Sequence, residues 1–176
     1  MSAFLEHYQF LARYNRWMNQ RLYAVCDALT DAQRKTDRGA FFKSIHHTLT
    51  HLVWADKMWL ARFTRQGIHF EALLPELLAM SEGSSFTSDL HPDWEDLKSN
   101  RDRLDVAIEL WLVEMSPNFL TTTLRYANTK GVARTHPAWQ ALTHFFNHQT
   151  HHRGQVTILL AQAGVDVGVT DLIALV

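Results

Sequence analysis

Cysteine is almost absent: Cys26 stands alone in 176 residues, which excludes an internal disulfide and suits a reducing cytoplasm, the expected location. Glycine and proline are also scarce, at seven and four. With no repeat, low-complexity tract or linker, the chain is expected to form a single domain over residues 1–176. Neither sign of charge dominates. The 17 Lys and Arg residues face 18 Asp and Glu for a net charge of −1, and no basic block marks an electrostatic nucleic-acid footprint. No run approaches the roughly eighteen uncharged apolar residues of a membrane-spanning helix. The start, Met-Ser-Ala-Phe-Leu-Glu-His, is mixed and acidic, so no signal peptide is expected. A phosphate-cradling glycine loop, Gly-x-Ser-x-Gly and Cys-x-x-Cys are all missing. Cys26 has no cationic neighbour in sequence to depress its pKa and reads as core filler.

What the chain does have is histidine, eleven residues of it, and six tryptophans. Most of the tryptophans fall in helical patterns that core packing explains. Four long helical segments carry those patterns. The first, 2–26, spaces Phe4, Leu5, Tyr8, Leu11, Ala12, Leu22 and Val25 for one face of a helix. The second, 41–63, carries Ile45, Leu49, Leu52, Trp59 and Phe63. Gly83, Ser84 and Ser85 lie in a polar stretch before the third. Pro92 fits the first position of that third helix, with Asp93, Glu95 and Asp96 at its positive end. It runs through Trp94, Leu97, Leu104, Ile108 and Trp111 and stops before Pro117. Residues 121–135 alternate and are rich in threonine, with 128–131 as a turn, which predicts a small hairpin or loop. Pro137 opens the fourth helix, which reaches Gln162, and Gly164 is its stop. The expected fold is all-α: a four-helix bundle with one long crossover connection at 64–91.

Some polar residues fall where a core should be. At 100° per residue, Ala138, Ala141, Phe145, Val156 and Leu159 define the apolar centre of the fourth helix. His152 falls within about 30° of that centre and His148 within about 70°, whereas His144 and His151 lie beyond about 100°. The spacing of four puts His148 and His152 on one face, one turn apart. Two neutral imidazoles so placed can share a metal ion. The plainer reading is a pair of core histidines arising by chance among eleven.

On the first helix, Asn15 sits at the centre of the apolar face and Asn19 one turn on. Two inward amides form either a hydrogen-bonded network fixing helix register or a polar pocket meeting the histidines. On the second helix Asp56 is central and demands a partner. It can orient a ligand histidine, bind an arginine such as Arg153, or cap a neighbouring helix. His51 lies toward the edge of that helix's apolar face, and periodicity alone does not choose it over His47.

These helices resemble the DinB/YfiT-like family. The likeness is carried by Tyr14-Asn15-Arg16-Trp17-Met18-Asn19 and by the segment from Ser44 to Leu52 with Ala55, Asp56 and Trp59. It continues in His148-Gln149-Thr150-His151-His152-Arg153-Gly154-Gln155, similar to the motif His-x-x-x-His-Arg-Gly-Gln, and in the tail from Ala163 to Asp171. Position by position, the resemblance implies a metal triad of His51, His148 and His152. It also implies nickel or zinc, a coordination position open to water or substrate, and a homodimer. The implied activity is that of a metal-dependent hydrolase or low-molecular-weight-thiol transferase. Asn15, Asn19 and Asp56 are then candidate pocket groups or groups behind the ligands, with Trp17 and Trp59 as apolar walls. The alternative is a non-catalytic metal-binding stress-response module acting as a homodimer, with His47, His144 or His151 closing the metal sphere.

Overall fold

The computed structural model describes residues 3–80, 83–85, 87 and 90–176. Among these the chain forms six α-helices and one two-stranded antiparallel sheet. Four helices are long: α1 (Ala3–Asp27), α3 (Ile45–Thr64), α5 (Trp94–Glu114) and α6 (Ala138–Gln162). The short α2 (Asp31–Lys35) and α4 (Pro75–Leu78) lie in the connections, and neither is expected from periodicity, since four or five residues carry too little of it. α2 exists because Thr30 and Gln33 form a reciprocal capping box. The expected start of the first helix at Ser2 lies outside the described residues.

Two helix starts differ from expectation. α3 begins at Ile45 rather than at 41, because the Ser44 hydroxyl accepts the His47 N–H at 3.2 Å and caps the helix there. Residues before it make a tight turn: Arg38 N–H donates to Lys43 O and Lys43 N–H to Ala40 O, both at 2.8 Å. Lys43 adopts φ 66°, a left-handed conformation no helix continues through. α5 starts after Asp93, whose carboxylate accepts the Asp96 N–H at 2.9 Å. Pro92 therefore precedes the cap instead of occupying the first helical position.

The hairpin is present. Strands β1 (Thr123–Ala127) and β2 (Ala133–Pro137) pair with Thr123 opposite Pro137 and Ala127 opposite Ala133. α6 then starts one residue after Pro137 and ends where Gly164, at φ 77°, lets its N–H turn back to Ala161 O and that of Val165 to Leu160 O.

α1 packs against α5 and α6, and α3 against the same two helices. The shared interior is one cluster running from Leu5 to Val167. Its aromatic centre joins Phe63 and Trp111 (ring centroids 5.0 Å apart) to Phe145, Phe70 and Phe119. No described helix is long and apolar enough to cross a membrane.

Candidate metal centre

α3 and α6 face each other, and three histidines meet between them. His51 comes from α3, and His148 and His152 come from successive turns of α6. One ring nitrogen from each lies within 4.8 Å of the other two, and among the described residues no further His, Cys, Asp or Glu joins the group. His51 and His152 are buried and His148 is half-buried. Imidazole ring centroids are 4.3 Å apart for His148 and His152, 4.6 Å for His51 and His152, and 5.2 Å for His51 and His148.

The donor set fits a metal ion. His51 Nε2 and His148 Nε2 stand 3.3 Å apart, and two ligands at the usual Zn–N distance of about 2.0–2.1 Å on a tetrahedral centre are separated by about 3.3 Å. A ligand imidazole must also be neutral. Burial, followed by the neighbouring imidazoles of His152 and His51, pushes the His148 pKa down to about 3. Burial lowers that of His152 as well, partly offset by its hydrogen bond to Gln155.

Two residues that periodicity does not single out hold this arrangement. His152 Nδ1 lies 2.7 Å from Gln155 Oε1. An amide oxygen only accepts, so the proton sits on Nδ1 and the lone pair on Nε2. Phe42, placed by the left-handed turn at Lys43, stacks on His51 with ring centroids 4.0 Å apart and meets the edge of His152. Gln155 is the last residue of the quoted motif and could have been read as a ring orienter; Phe42 leaves no signal in sequence, because a turn places it.

The other candidates go elsewhere. Asn15 and Asn19 both donate to Asp105, at 3.0 and 2.9 Å. Asp56 Oδ2 accepts from Arg101 at 2.6 Å and from Gln149 at 3.0 Å. Arg101 also pairs with Asp105 at 2.9 Å, and Arg153 donates to Asn15 Oδ1. The partner of Asp56 is thus Arg101 rather than Arg153. Burial pushes the Asp56 and Asp105 carboxyls up, that of Asp105 to about 6, against the pull of Arg101. Arg101 and Asp105 were legible in principle, since both fall on the α5 stripe of Leu97, Leu104 and Ile108, with opposite charges four apart. This fully buried network links α1, α3, α5 and α6. Through Gln149 it reaches the residue after His148.

Of the spare histidines, His47 Nδ1 lies 2.9 Å from Ser44 Oγ. His151 Nε2 lies 3.2 Å from Gln155 Nε2, which donates to it. His144 packs against Trp59 at 5.0 Å and stands 5.8 Å from His148. Trp59 therefore reaches the cluster only through His144, whereas Trp17 lies beside Tyr14 with Arg21 over its ring.

A mostly helical chain that gathers three imidazoles between two helices is of a kind able to hold a metal ion. The comparisons give the family: the DinB family model matches residues 1–175, and the chain belongs to that family. It is 28% identical over 162 residues to Protein DinB of Bacillus subtilis (strain 168), covering 92% of this chain and 88% of that one. The crystal structure of a DinB-like protein from Bacillus cereus ATCC 10987 has the same fold, with a TM-score of 0.61 and 24% identity over 94% of each chain.

Proposed function

We propose that this chain is a metal-dependent enzyme of the hydrolase or low-molecular-weight-thiol transferase type. In this reading His51, His148 and His152 hold one nickel or zinc ion, and a coordination position remains for water or substrate. Residues 1–176 make a single cytoplasmic domain whose four long helices are those of a four-helix bundle. What carries the reading is the meeting of three imidazole donors within 4.8 Å with no fourth His, Cys, Asp or Glu among the described residues. Three protein donors are the pattern of catalytic zinc sites, whereas four close a structural one.

A metal ion held there supplies a lowered pKa to a bound water, toward about 7, or to a bound thiol. The protein's own part is orientation and shielding. Gln155 fixes the tautomer of His152, Phe42 covers His51 and His152 from one side, and the Asp56–Arg101–Asp105 network with Asn15 and Asn19 holds the four helices in register.

The test is elemental analysis after exhaustive dialysis, comparing the parent with His148→Ala. The parent should carry close to one equivalent of nickel or zinc and the variant almost none; equal metal content in the two would end the proposal. A screen of the metal-loaded protein against thiol conjugates and simple esters and amides then separates the two reaction types.

A second reading, a non-catalytic metal-binding stress-response module acting as a homodimer, is favoured by one observation. Val106, Leu110 and Val113 form an exposed apolar stripe along α5, and such a stripe suits a partner surface. Sedimentation of the parent and of Leu110→Glu tests the dimer; metal binding without turnover in the screen would favour this reading.

A further inference from the structure

Beside the histidine cluster, on the adjoining face of α6, lies a groove of about 510 Å³. That is within the range of small-molecule sites, roughly 300–1,000 Å³. One wall is α6, through His151, Gly154, Gln155 and Ile158; the other is the turn carrying Arg38 and Phe41. Its chemistry is mixed in a specific way. Phe41 is 75% exposed and Ile158 62%, so the walls present two large apolar side chains to solvent. Gly154 removes the floor, because a Cβ built there would meet nothing within 4 Å. A helix-interior glycine costs about 1 kcal/mol relative to alanine, and here the missing side chain leaves open space instead of admitting a close neighbour.

Arg38 supplies the charge. Its Nη1 reaches only the Gln162 carbonyl, at 3.5 Å, the outer limit of a hydrogen bond. Its Nε is buried with no partner among the described residues. A guanidinium whose terminal nitrogens make only that one long contact, beside exposed apolar walls, matches a carboxylate joined to an apolar body, through a charge-assisted hydrogen bond.

We propose that this groove binds a small organic anion, a carboxylate on an aromatic or branched apolar body, with Arg38 meeting the charge and Phe41 and Ile158 the body. The occupant touches Gln155 and His151, and so sits one hydrogen bond away from His152. Occupancy of the groove does not depend on the metal reading.

The test uses the full chain, ¹⁵N-labelled and stripped of metal with EDTA, titrated with 4-phenylbutyrate and with its neutral amide. The amide signals of Gly39, Ala40, Gly154 and Gln155 should shift saturably with the acid. The neutral probe should bind about tenfold more weakly, the scale set by a charge-assisted hydrogen bond. Arg38→Gln should erase that preference. Gly154→Leu should block both probes while keeping the helix, because leucine is the better helix former and the space is open. Absence of saturable shifts in the parent, equal affinity for acid and amide, or a preference surviving Arg38→Gln would each overturn the proposal. A zinc titration of the same sample reads the histidine cluster independently, so failure of the groove and failure of the metal site are told apart.

Discussion

His152 donates its Nδ1 proton to Oε1 of Gln155 across 2.7 Å, one turn further along α6. That bond fixes which nitrogen faces His51 and His148, so its loss should weaken metal binding without unfolding the chain. Removing such an orienting partner typically lowers metal affinity 10- to 100-fold, so Gln155→Leu should fall by about that factor. Gln155→Glu, which keeps an acceptor, should recover most of the loss. Competition against a chromogenic chelator measures both; a Leu variant with parental affinity would show that the bond orients nothing.

Acid should destabilise the metal-free protein through His148. The unfolded chain takes up this proton near the ordinary value of 6.5, whereas burial and the neighbouring imidazoles hold the folded group down to about 3. Between those values the unfolded state binds more protons, so stability is fully present above pH 6.5 and is lost as pH falls toward 3. For one such group the slope approaches about 1.4 kcal/mol per pH unit. Urea denaturation at pH 7, 6 and 5 should show the decline, and His148→Ala should flatten it. Parallel pH curves for parent and variant would remove His148 as the cause.

Much of this was legible from periodicity and caps, and the failures share a physical cause. The long helices and the hairpin announce themselves because many residues repeat one pattern. Periodicity starts α3 four residues early because Phe41 and Phe42 look like helix residues in a linear pattern; the left-handed Lys43 and the Ser44 cap are what exclude them. The same turn is why Phe42 was invisible as a cover for His51. His148 and His152 emerge from spacing on one helix, whereas His51 faces them from α3, at the edge of that helix's apolar stripe. Only tertiary packing or a family likeness separates it from His47. Asn15, Asn19 and Asp56 stood out as misplaced polar groups, but their partners Asp105 and Arg101 lie 45 or more residues away, beyond the reach of any local pattern.

The neighbouring histidines should prove dispensable for metal. His47 is tied to its helix cap, His151 accepts from Gln155, and His144 packs on Trp59. Alanine at any one of them should leave metal content near the parental value, whereas His51→Ala should lose it as His148→Ala does. Elemental analysis of the set decides the point. A variant of His47, His144 or His151 that loses the ion would mean that a fourth imidazole closes the sphere, and would move the protein toward a structural metal site.

The buried network should be strongly coupled. It holds two carboxylates, Asp56 and Asp105, and two guanidiniums, Arg101 and Arg153, all nearly inaccessible to water. Asp56→Leu leaves an excess positive charge in the interior, and breaking a buried pair from one side costs about 3–5 kcal/mol. Arg101→Met leaves the opposite excess and should cost a similar amount. The double variant restores balance, with Asp105 and Arg153 remaining, and an apolar replacement of a whole buried pair is often close to neutral. Its loss in urea denaturation should therefore be well below the sum of the two single losses. If the losses simply add, Asp56 and Arg101 do not act as a pair, and the remaining links of Asp105 to Asn15 and Asn19 are what tie α1 to α5.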